Sequence, residues 1–196
     1  MVDSIFKRFP TVGACGLDCG LCPRHFADGH SRCPGCAAET YNGPGCALQR
    51  CCVRHHRLEC CAECADTEGC RLLERVIKAS AEGDSFISYV PVPANLGSIR
   101  ETGIAEFARR QDARVTFLEG LINAYDDGRS KGFFCLAVQL LPLEELRVAF
   151  NGVSASLAGA PDAKARTALL HNAIGELASR NGLTLKLRHP KKEAEL

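Results

Sequence analysis

The chain has 196 residues, a formal net charge of +1 and thirteen cysteines. That length suits one ordinary domain with a small satellite or an inserted module. The near-neutral charge gives no global attraction to nucleic acid or anionic lipid. The longest apolar run, residues 132–143, is broken by Gln139 and Pro142 and is too short to cross a bilayer.

Residues 1–10 lack the apolar stretch and small-residue cleavage site of a signal peptide, so the expected compartment is cytoplasmic. Thiols stay reduced there, and clustered cysteines then mean metal or redox chemistry rather than a disulfide frame. A disulfide-rich secreted module is the competing reading. The missing signal and a long cysteine-poor C-terminal half argue against it.

Twelve of the cysteines fall within the 56 residues 15–70: Cys15, Cys19, Cys22, Cys33, Cys36, Cys46, Cys51, Cys52, Cys60, Cys61, Cys64 and Cys70. The segment is poor in aliphatic residues, so a core of its own is not expected and metal is expected to hold it. Gly13, Gly16, Gly20, Gly35, Gly43 and Gly45, with Pro23, Pro34 and Pro44, predict knuckles and tight turns over residues 13–66. The pairs Cys19/Cys22 and Cys33/Cys36 each enclose two residues, the spacing that lets two sulfurs of a knuckle reach one ion. Two such knuckles make a tetrahedral zinc shell. Cys61/Cys64 is a third pair, with partners to come from Cys46, Cys51, Cys52, Cys60 and Cys70. Adjacent cysteines point apart, so the doublets Cys51-Cys52 and Cys60-Cys61 are expected to bridge neighbouring centres. Twelve thiols divide into three sets of four, or two sets with spares.

Iron–sulfur ligation competes with zinc. Cys15, Cys19 and Cys22 have the spacing used for a [4Fe–4S] cluster with one open iron, and Pro23 follows as in ferredoxin motifs. The strand–helix alternation of a radical-enzyme barrel is missing, which leaves an electron-transfer or cluster-dependent redox protein. Copper(I) storage fits less well, because these thiols sit in broken loops rather than along helices. His25, His30, His55 and His56 lie among the cysteines and read as solvated loop residues, since thiols are already in excess. His171 and His189 read as surface residues.

Beyond the cysteines the pattern is helical. A helix is expected from Thr67, with Cys70 in its first turn and Leu72, Leu73, Val76 and Ile77 on one stripe. Residues 82–97 read as an extended connector, because Pro91 and Pro93 oppose helix and residues 86–90 suit a short strand. Thr102 is expected to cap the clearest helix, carrying Ile104, Phe107, Val115, Leu118 and Leu121 and ending at Asp126-Asp127-Gly128. Ser130 is expected to cap a buried helix containing Cys135, and Pro142 to open a short one. Residues 151–160 read as a loop. Pro161 opens a last helix closed by Gly182, and Leu183, Leu185 and Leu187 suggest a final strand before a charged tail.

The expected fold is therefore mainly α. An irregular, metal-stapled cysteine-rich module with a following helix spans residues 1–81, a helical domain spans 82–196, and one or two short strands accompany them. No catalytic constellation is evident. The turn from Asp126 to Lys131 reads as a connection before an anion site, and Cys135 as a buried small side chain. Lys186, Arg188, Lys191 and Lys192 form a modest basic tail without aromatic partners, which argues against nucleic acid. A protein partner stays open, and a membrane does not.

The run Cys15-Gly-Leu-Asp-Cys19-Gly-Leu-Cys22-Pro, then Cys33-Pro-Gly-Cys36, Cys51-Cys52 and Cys61-Ala-Glu-Cys64 with Cys70, resembles the DUF3795 family. Residues 127–135 and 185–188 are similar to its longer members. The resemblance implies zinc held by these cysteines and implies no substrate or reaction. The sequence thus points to two or three four-cysteine sites, with structural zinc in a binding or adaptor module, and an iron–sulfur protein as the alternative.

Overall fold

The structure, a computed structural model, describes residues 7–33, 35–36 and 46–189. Pro34, Gly43, Pro44 and Gly45, and Lys191 and Lys192 of the charged tail, lie outside them. Seven α-helices form among the described residues: α1 (Ala47–Gln49), continued by a π-helical turn at Arg50–His55, then α2 (Arg71–Glu82), α3 (Val92–Thr102), α4 (Ile104–Tyr125), α5 (Lys131–Leu140), α6 (Leu143–Gly159) and α7 (Ala163–Arg180). The mainly helical fold with an irregular cysteine-rich start matches expectation. None of these helices is long and apolar enough to cross a membrane.

The two expected strands do not form. The segment 84–90 is a turn organised by the Asp84 carboxylate, which accepts from the Tyr89 amide at 2.8 Å and the Ser88 hydroxyl at 3.3 Å. The Arg188 amide donates to that same carboxylate at 2.8 Å, and residues 183–187 form no strand.

Several helix limits also move. Thr67 caps no helix; its hydroxyl donates to the Cys64 carbonyl at 2.9 Å, and α2 starts after Cys70. Residues 92–97 are helical rather than extended. Pro91 is the N-cap of α3 and Pro93 sits in its first turn, where no N–H is needed. Thr102 ends α3 instead of capping α4, and Gly103, at φ +82°, makes the break. Asp126, not the Ser130 side chain, caps α5: one carboxylate oxygen accepts from the amides of Gly128, Ser130 and Lys131, each at 3.1 Å. α6 runs through residues 151–159, because no proline interrupts them and packing on α7 offsets the helix cost of Gly152; Ala160 ends it, extended before Pro161. Asp162 caps α7 through the Ala165 amide at 2.7 Å, and Gly182, at φ +66°, closes it.

The chain divides into two compact units, residues 1–112 with 187–196, and residues 113–186. Composition suggests a division at 81/82; compactness places it within α4.

The first unit has a core that its cysteine-rich segment shares. Val12, Ala14, Leu48, Val53, Cys52, Cys60, Cys61 and Ala62 are buried together with Leu73 of α2, Val92, Leu96 and Ile99 of α3, and Ile104, Phe107 and Ala108 of α4. The expectation that this segment lacks a core fails for that reason: α3 and the start of α4 supply the aliphatic surface, and thiols fill space as small apolar groups. Arg188 closes the unit, its guanidinium bonding Asp84 at 2.8 Å and the Ser80 carbonyl at 2.6 Å.

In the second unit α6 packs on α7. Phe134, Leu118, Val138, Leu141, Leu146 and Leu170 are among its most buried side chains. The Arg114 guanidinium donates to the carbonyls of Val138 and Leu141 at the end of α5. His171 is not a plain surface residue: its ring stacks on Phe133 at 4.0 Å and its Nε2 lies 3.0 Å from the Ser130 hydroxyl.

Candidate metal centre

The two Cys-x-x-Cys pairs that lie wholly within the described residues share one backbone design. A 3-10 turn spans Cys19–Leu21 and another spans Cys61–Glu63. The second cysteine then leaves at nearly the same angles, φ −77° and ψ 136° at Cys22, φ −77° and ψ 132° at Cys64. In each, that cysteine's amide bonds back to the first cysteine's carbonyl at 3.2 Å. Residues i and i+3 eclipse on a 3-10 turn, so each pair presents both side chains on one side. This is the geometry of a knuckle.

The supporting bonds come from the rest of the unit. The Cys61 amide donates to the Ala14 carbonyl at 2.8 Å, which ties the first knuckle loop to the second. Asn95 of α3 donates to the Gly16 carbonyl and to Asp18, both at 2.9 Å, fixing the chain between Cys15 and Cys19. Glu63 accepts from the amides of Glu59 and Cys60 at 2.9 Å.

By the electrostatic influence of each on its neighbours, the thiols trace two overlapping groups and a pair, with Cys36 of the first acting on Cys61 of the second. Cys15, Cys19, Cys36 and Cys60 form the first. Cys19 donates its S–H to Cys36, and that bond holds Cys19 well above the usual thiol range while holding Cys36 below it. The Ala14 amide adds a bond to Cys36 Sγ at 3.1 Å. Burial pushes Cys15 up to about 12, with Cys36, Cys60 and Cys46 close enough to add to it. Burial also raises Cys60 to about 11. Cys51, Cys52, Cys61, Cys64 and Cys70 form the second set. Cys61 donates its S–H to Cys52, which raises it, and Cys70 adds to the effect. Cys51 is raised by burial and by Cys61, Cys70 and Cys64. Cys22 has Cys33 as its thiol neighbour.

Cys19 has Cys36 as a thiol neighbour and Cys22 has Cys33, the four residues of the expected double knuckle. The π-helical turn carries Cys51 and Cys52, and both have Cys61 as a neighbour. Cys46 is exposed and caps α1, its sulfur accepting from the Gln49 amide at 3.4 Å. His30, His55 and His56 are exposed, as expected. All thirteen thiols are free, and Cys135 is buried in α5 as a small side chain.

Among the described residues, no three histidine, cysteine or carboxylate side chains converge tightly enough to hold an ion as they stand. The donor chemistry nonetheless fits a soft metal: thiols in excess, with the Ala14 and Gln49 amides donating to sulfur. Gln49 Nε2, on the turn between Cys46 and Cys52, is buried and has no acceptor among the described residues. The anion site considered at the start of α5 is closed, because Asp126 already occupies its amides.

Two residues that organise the site escape the cysteine pattern: Glu63 and Asn95. Only Glu63 carries a local signal, standing three residues after Cys60 as in a capping box. Comparison of the chain with family models, with curated proteins and with solved structures finds no match, so the resemblance to DUF3795 rests on its motifs alone.

Proposed function

We propose that the first unit is a metal–thiolate module, binding structural zinc through its two thiol sets and serving as a binding or adaptor surface. The observation that supports this reading is the pair of Cys-x-x-Cys turns with one 3-10 geometry, tied to each other by the Cys61 amide donating to the Ala14 carbonyl at 2.8 Å. Cys15, Cys19, Cys36 and Cys60 would hold one ion. Cys61, Cys64 and Cys70 with Cys51 or Cys52 would hold another, and Cys22 with Cys33 is half of a third shell. Zinc bound this way supplies cross-linking, and a shell closed by four thiolates has no position for an activated water. Cys15 and Cys60, raised by burial, stay protonated until metal displaces the protons, so zinc uptake should release acid.

A [4Fe–4S] protein is the second reading, supported by the Cys15, Cys19 and Cys22 spacing. Purification without oxygen, followed by a visible spectrum and elemental analysis, separates the two. The zinc reading expects a colourless protein with two or three zinc ions. A brown protein with iron and sulfide in equal amounts would overturn it.

A further inference from the structure

Residues 50–57 carry three arginines and two histidines, and Arg50, Arg54, His55, His56 and Arg57 are all exposed. The π-helical turn at Arg50–His55 arranges them. Its wide bonding, with the His56 amide on the Cys51 carbonyl at 3.0 Å, brings residues four and five apart onto one face. Arg50, Arg54 and His55 fall on that face, while Cys52 and Val53 are buried. At a helical rise of about 1.5 Å per residue the segment spans about 10 Å, roughly one Debye length in ordinary salt.

The helix dipole accounts for Arg54 and His55, which sit in the last turn. It does not account for Arg50 or Arg57. Arg50 and Arg54 stand four residues apart, and Arg54 and Arg57 three apart, spacings at which like charges repel. Residues 40–58 contain no aspartate or glutamate, and among the described residues no ion pair includes Arg50 or Arg57. Glu59 comes next in the chain, but it is committed to the Arg8 and Phe9 amides at 2.9 and 3.2 Å. Arg57 also adopts φ +56°, the one positive φ outside glycine among the described residues, where asparagine or glycine fits with less strain. Repulsion and backbone strain thus coincide in one short exposed segment, and a bound anion would offset the repulsion.

We infer that residues 50–57 form a docking surface for an acidic peptide segment of a partner protein. The inference rests on the adaptor half of the proposed function and not on the metal. Arginines bind carboxylates through paired N–H donors, and a cluster of them reads an acidic motif. A nucleic acid fits less well. Its affinity is built from many phosphate contacts, the chain is near neutral, and residues 46–63 hold no phenylalanine, tyrosine or tryptophan for a base to stack on.

The test uses the full chain and a fluorescent oligoglutamate peptide at low salt, read by anisotropy. The peptide should bind, and binding should fall steeply as salt rises. Arg50→Gln together with Arg57→Asn should weaken it by about 3- to 30-fold. That double variant should melt no lower than the unmodified chain, because it removes like-charge repulsion and puts asparagine at a left-handed position. Lys164→Glu, an exposed change in the second unit, should leave binding within about twofold. The His55 and His56 ring resonances give a readout without substitution, and bound peptide should shift them. No binding, an equal loss in K164E, unmoved ring resonances with peptide bound, or tighter capture of an oligothymidylate of the same charge would each overturn the assignment. A chain that takes up zinc but not the peptide would overturn this surface alone. A chain that binds the peptide but no zinc would overturn only the metal reading.

Discussion

At the scale of single residues, close approach to sulfur decides what the first thiol set tolerates. Gly13 has no side chain, and Cys19 Sγ occupies the space one would fill, 3.0 Å from the Cβ position, with the Leu17 carbonyl at 3.2 Å. The carbonyl is backbone and gives little, so Gly13→Ala should cost about 1–3 kcal/mol in stability. It should also speed loss of one zinc to a chelator, which metal-release kinetics would show. His171 lies outside the thiol region and sets a pH response. Burial against Phe133 lowers its pKa, and Asp127 only partly offsets this. The unfolded chain then binds the proton more readily. Stability from this residue is complete above the ordinary histidine value of about 6.5 and is lost as pH falls through the lower folded value. His171→Leu should flatten the dependence of the melting temperature on pH between about 6.5 and 5. An unchanged slope would remove His171 from that account.

Helices and turns show where local pattern is enough and where it is not. The Cys-x-x-Cys knuckles are legible in sequence because the spacing matches one 3-10 turn, a purely local fact. α4, α5 and α7 are legible for the same reason: periodic apolar residues between strong breaks. Pro91 and Pro93 mislead, since a proline in a first turn starts a helix and only an interior one ends it. Residues 151–159 mislead because small residues are compatible with both loop and helix, and packing on α7 decides. Contacts that cross the chain have no local mark at all. Asn95 reaches Asp18 across 77 residues, and Arg188 reaches Asp84 across 104. The role of α3 in positioning the first knuckle loop follows from Asn95. Asn95→Ala removes two bonds, one of them to a buried carboxylate, and should destabilise the first unit by about 1–3 kcal/mol. Hydrogen exchange should show the loss in α3 and the residue 13–22 loop, and not in α7.

At the scale of the molecule, the cysteine-rich segment is not an appendage on a helical domain. It contributes half of a shared core with α2, α3 and the first residues of α4. Metal removal should therefore unfold more than the knuckles. A strong chelator should strip hydrogen-exchange protection from α2 and α3 together with residues 13–70, while α5, α6 and α7 keep theirs. Retained protection in α3 would show that apolar burial alone holds the first unit. The central proposal is that zinc is held there by thiolates only, and X-ray absorption at the zinc edge of the zinc-loaded chain tests it most directly. The account predicts a first shell of four sulfurs at about 2.3 Å. A shell containing nitrogen or oxygen at about 2.0–2.2 Å would contradict it.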